Sequence, residues 1–213
     1  MVRSVYRAAA GACIAFVIAA QFFLVVGDEP AGEIAVTSIR FFSFFTILTN
    51  ILAAAALLVP LIAPHSAVSS FLARPSVRTG IAGYIIMVGV VYHLLLRGVS
   101  AREGWELTFE LMLHYLTPPL YVLDWLLFVS KRAVGWHVGL DALGLPLAYV
   151  GWTMVHGALS GWYPYPFVDV PELGYARVLA NIIALILAFL VLEVALVGVG
   201  RLLAWAYNSN TTK

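Results

Sequence analysis

Two stretches hold polar side chains at helical spacing inside apolar surroundings. The first reads Arg40-Phe41-Phe42-Ser43-Phe44-Phe45-Thr46-Ile47-Leu48-Thr49-Asn50. Ser43, Thr46 and Asn50 are three and four residues apart, so a helix puts them on one face. Arg40 extends that stripe by one turn. The second stretch carries Glu110, His114, Thr117, Pro118, Pro119 and Asp124. Glu110 and His114 are one helical turn apart. A hydroxyl within reach of an imidazole is the minimum for an activated nucleophile. A carboxylate beside that imidazole can fix its tautomer and raise its basicity. The same side chains have a plainer reading. Hydroxyl and amide groups commonly bond one membrane helix to another, and the Glu110–His114 pair can face a wet vestibule or Arg40. Pro118 and Pro119 withdraw two backbone donors, so they predict a kink or loosening just past His114.

The elements that must hold these groups are long and apolar. Of 213 residues, 62% are hydrophobic and 11% charged, against roughly 25% charged in a soluble domain. The net charge of +1 leaves no basic footprint for nucleic acid. The single cysteine, Cys13, excludes an intramolecular disulfide and a cysteine metal site. Six apolar stretches follow one another, at residues 5–26, 36–63, 80–96, 107–129, 138–159 and 176–207. A span needs about 20 residues to cross the hydrocarbon core. Arg3 and Arg7 give the first stretch the look of a signal peptide, but it outlasts a signal-peptide core and is read as a span. The expected fold is all-α: a single bundle of six transmembrane helices occupying residues 1–213.

Orientation follows from the basic residues. With the N-terminus inside, the inner segments hold Arg3, Arg7, Arg74, Arg78, Lys131, Arg132, Arg201 and Lys213, and the outer side holds Arg40, Arg97, Arg102 and Arg177. Eight against four predicts that both termini are cytoplasmic, in a multi-pass protein of the plasma membrane. Ser43 then lies seven residues past Val36, and His114 seven past Leu107. At 1.5 Å per residue both sit about 10 Å below the outer ends of their helices. The two levels match, so hydroxyl and imidazole can meet in the outer half of the bilayer.

His93 and His156 also fall on the outer side. With His114 they could form a three-histidine metal site, but none has paired ligand spacing such as HxxxH. The preferred reading is an interfacial polar belt, and neither metal nor cofactor is expected. The segment from Gly161 to Val170 contains Trp162, Tyr163, Pro164, Tyr165, Pro166 and Phe167. It reads as an aromatic anchor at headgroup level, or as a lid over an outer cavity. Asp124, Asp141, Glu193 and Arg201 are expected to form an inner structural ion cluster, since unpaired charges there are expensive.

These residues carry a resemblance that spans most of the chain. Arg40-Phe41-Phe42-Ser43, with Asn50 seven residues on, is similar to a pattern of basic residue, two apolar residues, threonine nucleophile and later amide. His114, with Pro119 five residues on and Asp124 ten on, is similar to that pattern's catalytic histidine, proline and acid. Val155-His156, then Gly161, Trp162 and Tyr165-Pro166-Phe167, matches a third motif with one extra loop residue. The chain resembles the bacterial predicted six-transmembrane membrane proteins. These are related to the androgen-induced and androgen-dependent TFPI-regulating family of animal membrane threonine hydrolases. The resemblance implies hydrolysis of fatty acid esters of hydroxy fatty acids within the membrane. Serine stands at position 43 in place of threonine, and Thr46 lies one turn deeper.

The leading expectation is an intramembrane hydrolase of lipid esters drawn from the outer leaflet. Ser43 ranks first as nucleophile by alignment, with Thr46 as rival because it is nearer Asn50, a candidate oxyanion donor. His114 is the expected base and Glu110 its orienting acid. Arg40 would bind a lipid carboxylate, and His93, His156, Trp162 and Tyr165 would line the mouth. The alternative is a lipid-binding or transport protein that uses the same polar cavity.

Overall fold

The computed structural model describes residues 1–99, 102–131 and 134–211. Every regular element among them is helical. The chain forms two compact units, Met1–Ala133 and Val134–Lys213.

The first unit opens with α1 (Val2–Gly27), which matches the first expected span. The second expected span is not one helix. It divides into α2 (Ile34–Phe42) and α3 (Phe45–Ile62), with Ser43 at the end of one and Phe44 extended at φ −80° and ψ 129°. At the break the Ser43 hydroxyl donates to the Ile39 carbonyl at 2.7 Å. A short α4 (Ala67–Leu72) is capped by Ser66, whose Oγ accepts from the Ser69 N–H at 3.0 Å.

Next, α5 (Pro75–Val91) starts five residues earlier than hydropathy predicts. Proline favours the first helical position, where its missing N–H costs nothing. Arg78 therefore lies inside a helix rather than in a loop. A π-helical turn, Tyr92–Leu96, ends this element. The fourth expected span is helical from Gly104 to Phe128, but it is divided into α6 (Gly104–Leu111), a second π-helical turn (Met112–Leu116) and α7 (Thr117–Phe128). Pro118 and Pro119 sit in the first turn of α7, directly after the π turn, where their missing N–H groups leave carbonyls of that turn without helical donors.

In this unit α3 packs on α1, and α5 packs on α3 and α7. Ile14, Leu57, Ile85, Tyr121 and Trp125 fill the core. Beside them is a buried charge cluster. Asp124 accepts from Arg7 Nε at 2.6 Å and from Arg78 Nη1 at 2.7 Å, and Arg78 Nη2 donates to the Ala56 carbonyl. This corrects the expected inner cluster, because the partners of Asp124 are Arg7 and Arg78.

The second unit contains α8 (Val138–Asp141), α9 (Gly144–Ser160), a 3-10 turn (Pro166–Val168) and α10 (Val170–Thr211). The expected span 138–159 is thus divided between α8 and α9. Within α10, Gly174 adopts φ 74° and ψ 156°, which only glycine tolerates readily. Regular helix resumes after it, near the expected start at 176. Val134, Val138 and Val197 form a buried cluster. Asp141 lies 3.9 Å from His137, and the Arg201 guanidinium lies 5.4 Å from the centre of the Trp136 ring.

Among the described residues, five helices are long and apolar enough to cross a membrane: Val2–Gly27, Phe45–Ile62, Pro75–Leu96, Val138–Ser160 and Val170–Ala206. Their surfaces expose Phe16, Phe23, Leu159 and Val191, while Thr49, Asn50, Arg78 and Asp124 are buried. Water selects the reverse distribution, and this one suits lipid. Of the residues used for orientation, Arg132 and Lys213 lie outside the described residues.

Candidate active site

Thr46 is the hydroxyl residue that meets the imidazole. Its Oγ1 lies 3.2 Å from His114 Nε2, and both residues are buried. The other ring nitrogen, Nδ1, lies 2.7 Å from the main-chain carbonyl of Glu110. A carbonyl oxygen only accepts, so the proton of the neutral ring belongs on Nδ1 and the lone pair on Nε2. The Thr46 hydroxyl then donates to Nε2, which is the arrangement a general base requires. Ser43 is also buried, but its hydroxyl is turned back to Ile39. The helix break separates the two: Ser43 closes α2, whereas Thr46 is the second residue of α3. Thr46 therefore sits at the positive end of an 18-residue helix dipole, which favours negative charge developing nearby.

The Glu110 atom that meets His114 Nδ1 is its main-chain carbonyl oxygen. The carboxylate accepts from Arg102 Nη1 at 3.0 Å and hydrogen-bonds the Tyr92 phenol. Tyr92 in turn stacks on His114, with ring centroids 3.9 Å apart and planes 20° apart. The imidazole is thus gripped at Nδ1 and on one face. Tyr92 and His114 both belong to π-helical turns, a distortion common at functional sites.

Asn50 has a positioning role. Its Nδ2 donates to the Thr46 carbonyl at 2.8 Å and to the Leu113 carbonyl at 3.5 Å. In the π register the Thr117 N–H bonds Met112, and the next donor position for Leu113 is Pro118, which has none. Asn50 supplies what the prolines remove, and so ties the π turn to α3. This departs from the expected oxyanion role, since both bonds of its amide nitrogen go to protein carbonyls. The His114 carbonyl lacks both helical donors, because they would be Pro118 and Pro119. Gly89 of α5 packs against it. A Cβ on Gly89 would lie 3.0 Å from that oxygen and 3.4 Å from Pro118 Cγ.

Of the other expected site residues, Arg40 is half-buried in the last turn of α2. His93 is exposed, and its Nδ1 lies 3.0 Å from the Tyr115 hydroxyl. His156, Trp162 and Tyr165 belong to the second unit. There His156 stacks on Trp152 at 5.3 Å and meets the edge of Trp162 at 5.7 Å, while Tyr165 stacks on Phe167 at 5.1 Å. No group of three or more metal-ligating side chains occurs among the described residues. Tyr92, Arg102 and Gly89 had no assigned place at the site from sequence. Position was their one available signal, since Tyr92 and Gly89 fall in the third expected span and Arg102 follows it.

No family model, curated protein or solved structure matches the chain.

Proposed function

We propose that the chain is a membrane hydrolase of lipid esters in which Thr46 is the nucleophile and His114 the general base. The observation that carries this reading is the 3.2 Å approach of Thr46 Oγ1 to His114 Nε2, with Nδ1 engaged by a carbonyl acceptor. The Thr46 oxygen attacks the ester carbonyl as its proton passes to Nε2. Collapse of the tetrahedral intermediate breaks the ester C–O bond, and His114 returns the proton to the departing alcohol. The acyl group remains on Thr46. His114 then takes a proton from water, and the resulting hydroxide attacks the acyl carbonyl. Collapse breaks the acyl C–O bond to Thr46, and His114 returns the proton to Thr46 Oγ1 as the carboxylic acid leaves. The α3 dipole favours the oxyanion at both stages. The similarity to animal threonine hydrolases supplies the substrate class, fatty acid esters of hydroxy fatty acids.

The membrane arrangement belongs to the same proposal. The segment from Gly104 to Phe128 is helical for about 37 Å at 1.5 Å per residue, enough for a sixth span beside the five apolar helices. Six spans return the C-terminus to the side of the N-terminus, and the basic residues favour the cytoplasmic side for both. Thr46 and His114 then lie in the outer half of the plasma membrane, at the level of outer-leaflet lipid.

A fluorophosphonate probe tests the chemistry. Labelling of the wild-type protein is expected to vanish in Thr46→Ala, persist in Ser43→Ala, and fall by about 10²–10⁴-fold in His114→Ala. Labelling that survives Thr46→Ala and disappears in Ser43→Ala transfers the nucleophile to Ser43. No labelling and no ester hydrolysis by purified, lipid-loaded protein overturns the reading in favour of a lipid binder or transporter.

A further inference from the structure

The first unit contains a groove of about 510 Å³, lined along α5 by Ile86, Gly89, Val90, His93 and Leu94. Its other wall is formed by His114, Tyr115, Pro118, Pro119 and Val122. The two walls run antiparallel, so the groove has two unlike ends. At one end His93 meets Tyr115 at 3.0 Å and His114 joins the lining. At the other end the walls are Ile86 and Val122, with no polar side chain among the lining residues beyond His114 and Tyr115. The eight helical steps from His114 to Val122 cover about 12 Å along the axis. The volume lies within the range of small-ligand sites, roughly 300–1,000 Å³.

We propose that this groove holds one acyl chain of the lipid whose polar end lies at His93, Tyr115 and His114. The inference rests on the hydrolase reading for the identity of that lipid as the ester substrate. The argument for an acyl chain comes from volume, lining and direction. The trough is aliphatic along most of its length, and its polar groups are confined to one end. In the orientation proposed above, the polar end is the outer one. An outer-leaflet chain runs inward in the same direction, so it enters sideways without turning over. Gly89 sets the floor of the trough. Without a side chain there, α5 closes on the proline-freed His114 carbonyl and leaves no bulge in the chain's path. All the lining residues belong to the first unit.

Crosslinking tests the site without requiring turnover. The Thr46→Ala protein is reconstituted in phosphatidylcholine vesicles with a palmitoyl ester carrying a mid-chain diazirine, irradiated and mapped by peptide mass spectrometry. Adducts are expected on the segments containing Ile86–Val90 and Pro118–Val122. Val122→Trp, which fills the inner end, is expected to reduce them about tenfold, the effect of excluding roughly two methylene groups from an apolar site. Ile62→Trp, on an exposed position of α3, serves as the control and is expected to leave them unchanged. Adducts spread evenly over exposed positions such as Phe16 and Phe23, or unchanged by Val122→Trp in a protein that still melts cooperatively, overturn the groove.

Hydrolysis separates this proposal from the reading beneath it. With Thr46 intact, Val122→Trp is expected to lose the palmitoyl ester and keep an acetyl ester of the same alcohol. Equal hydrolysis of both esters by wild type and Val122→Trp removes the groove and leaves the hydrolase. Groove adducts with hydrolysis of neither ester by wild type leave the acyl site and remove the hydrolase.

Discussion

Tyr92 lies against the face of His114, its ring centroid 3.9 Å from that of the imidazole. The Glu110 carboxylate bonded to the Tyr92 phenol sits on the residue whose carbonyl holds His114 Nδ1. One residue thus contacts the imidazole by its main chain and the residue stacked on it by its side chain. Rotation of the ring away from Thr46 would break the stack and the Nδ1 bond together.

Tyr92→Leu is therefore expected to lower kcat for ester hydrolysis by about tenfold, the equivalent of one aromatic stack. Tyr92→Phe keeps the ring and loses only the phenol bond, so its kcat is expected to fall less. KM is expected to change little in either variant, because Tyr92 positions the base. Steady-state kinetics on the two variants decides this. Equal kcat in Tyr92→Leu and wild type removes the stack from the site.

The Glu110 carboxylate supports a different prediction. It pairs with Arg102, and its own exposure is 5%. Arg102→Ala leaves a buried carboxylate without its cation and is expected to cost about 1–3 kcal/mol of stability. Glu110→Gln keeps the main-chain carbonyl that holds His114, so fluorophosphonate labelling is expected to continue. The pair Arg102→Ala with Glu110→Gln is expected to recover part of the stability lost by Arg102→Ala alone. Thermal melts and labelling rates on all three proteins measure this. Complete loss of labelling in a folded Glu110→Gln protein would assign the orienting role to the carboxylate after all.

How far the sequence leads is clearest at Ser43 and Thr46. Helical spacing puts both on one face, and depth puts Ser43 level with His114. Both inferences assume an unbroken helix from residue 36. The helix breaks at Ser43 and Phe44, so Ser43 ends one element while Thr46 lies in the first turn of the next. The helical, apolar character of the spans was legible because apolar runs of that size have few alternatives. Their continuity was not, since residues 36–63 divide into α2 and α3. Their starts were less legible as well, as Arg78 shows. A charge inside a helix reads as a loop until its partner is known, and that partner, Asp124, is 46 residues away. The π turn at His114 was legible only as loosening by Pro118 and Pro119. Its consequence, a carbonyl rather than a carboxylate on Nδ1, depends on backbone register that residue types do not encode.

The Arg7–Asp124–Arg78 cluster carries a prediction of its own. Asp124 has no exposed side-chain surface, and Arg78 has 2%. Asp124→Ala leaves two guanidinium groups facing each other without their shared anion. Loss of stability on the order of 3–5 kcal/mol is expected, the usual result of breaking a buried pair from one side. Asp124→Asn is expected to lie between wild type and alanine, since the amide oxygen still accepts from one arginine. Thermal melts in detergent measure both. A melting temperature for Asp124→Ala equal to wild type would mean that the arginines are not held by this carboxylate.

Glu193 offers the opposite case. It lies in α10 of the second unit, it has no exposed surface, and neither carboxylate oxygen has a hydrogen-bond partner among the described residues. Its neighbour Val194 packs against Gly139 of α8, with a glycine Cβ placed 3.1 Å from Val194 Cγ2, so this stretch of α10 is tightly enclosed. A polar group buried without a partner costs roughly 1–3 kcal/mol in mutational series. Glu193→Met replaces it with an apolar side chain flexible enough to fill the same space. The variant is expected to be more stable than wild type by about that amount, with a higher melting temperature at neutral pH. Glu193→Gln keeps a polar group in the same surroundings and is expected to gain less. A fall in melting temperature for Glu193→Met would show that the carboxylate is held by a favourable interaction in the membrane. Because Glu193 lies outside the unit that holds Thr46 and His114, fluorophosphonate labelling in Glu193→Met is expected to match wild type.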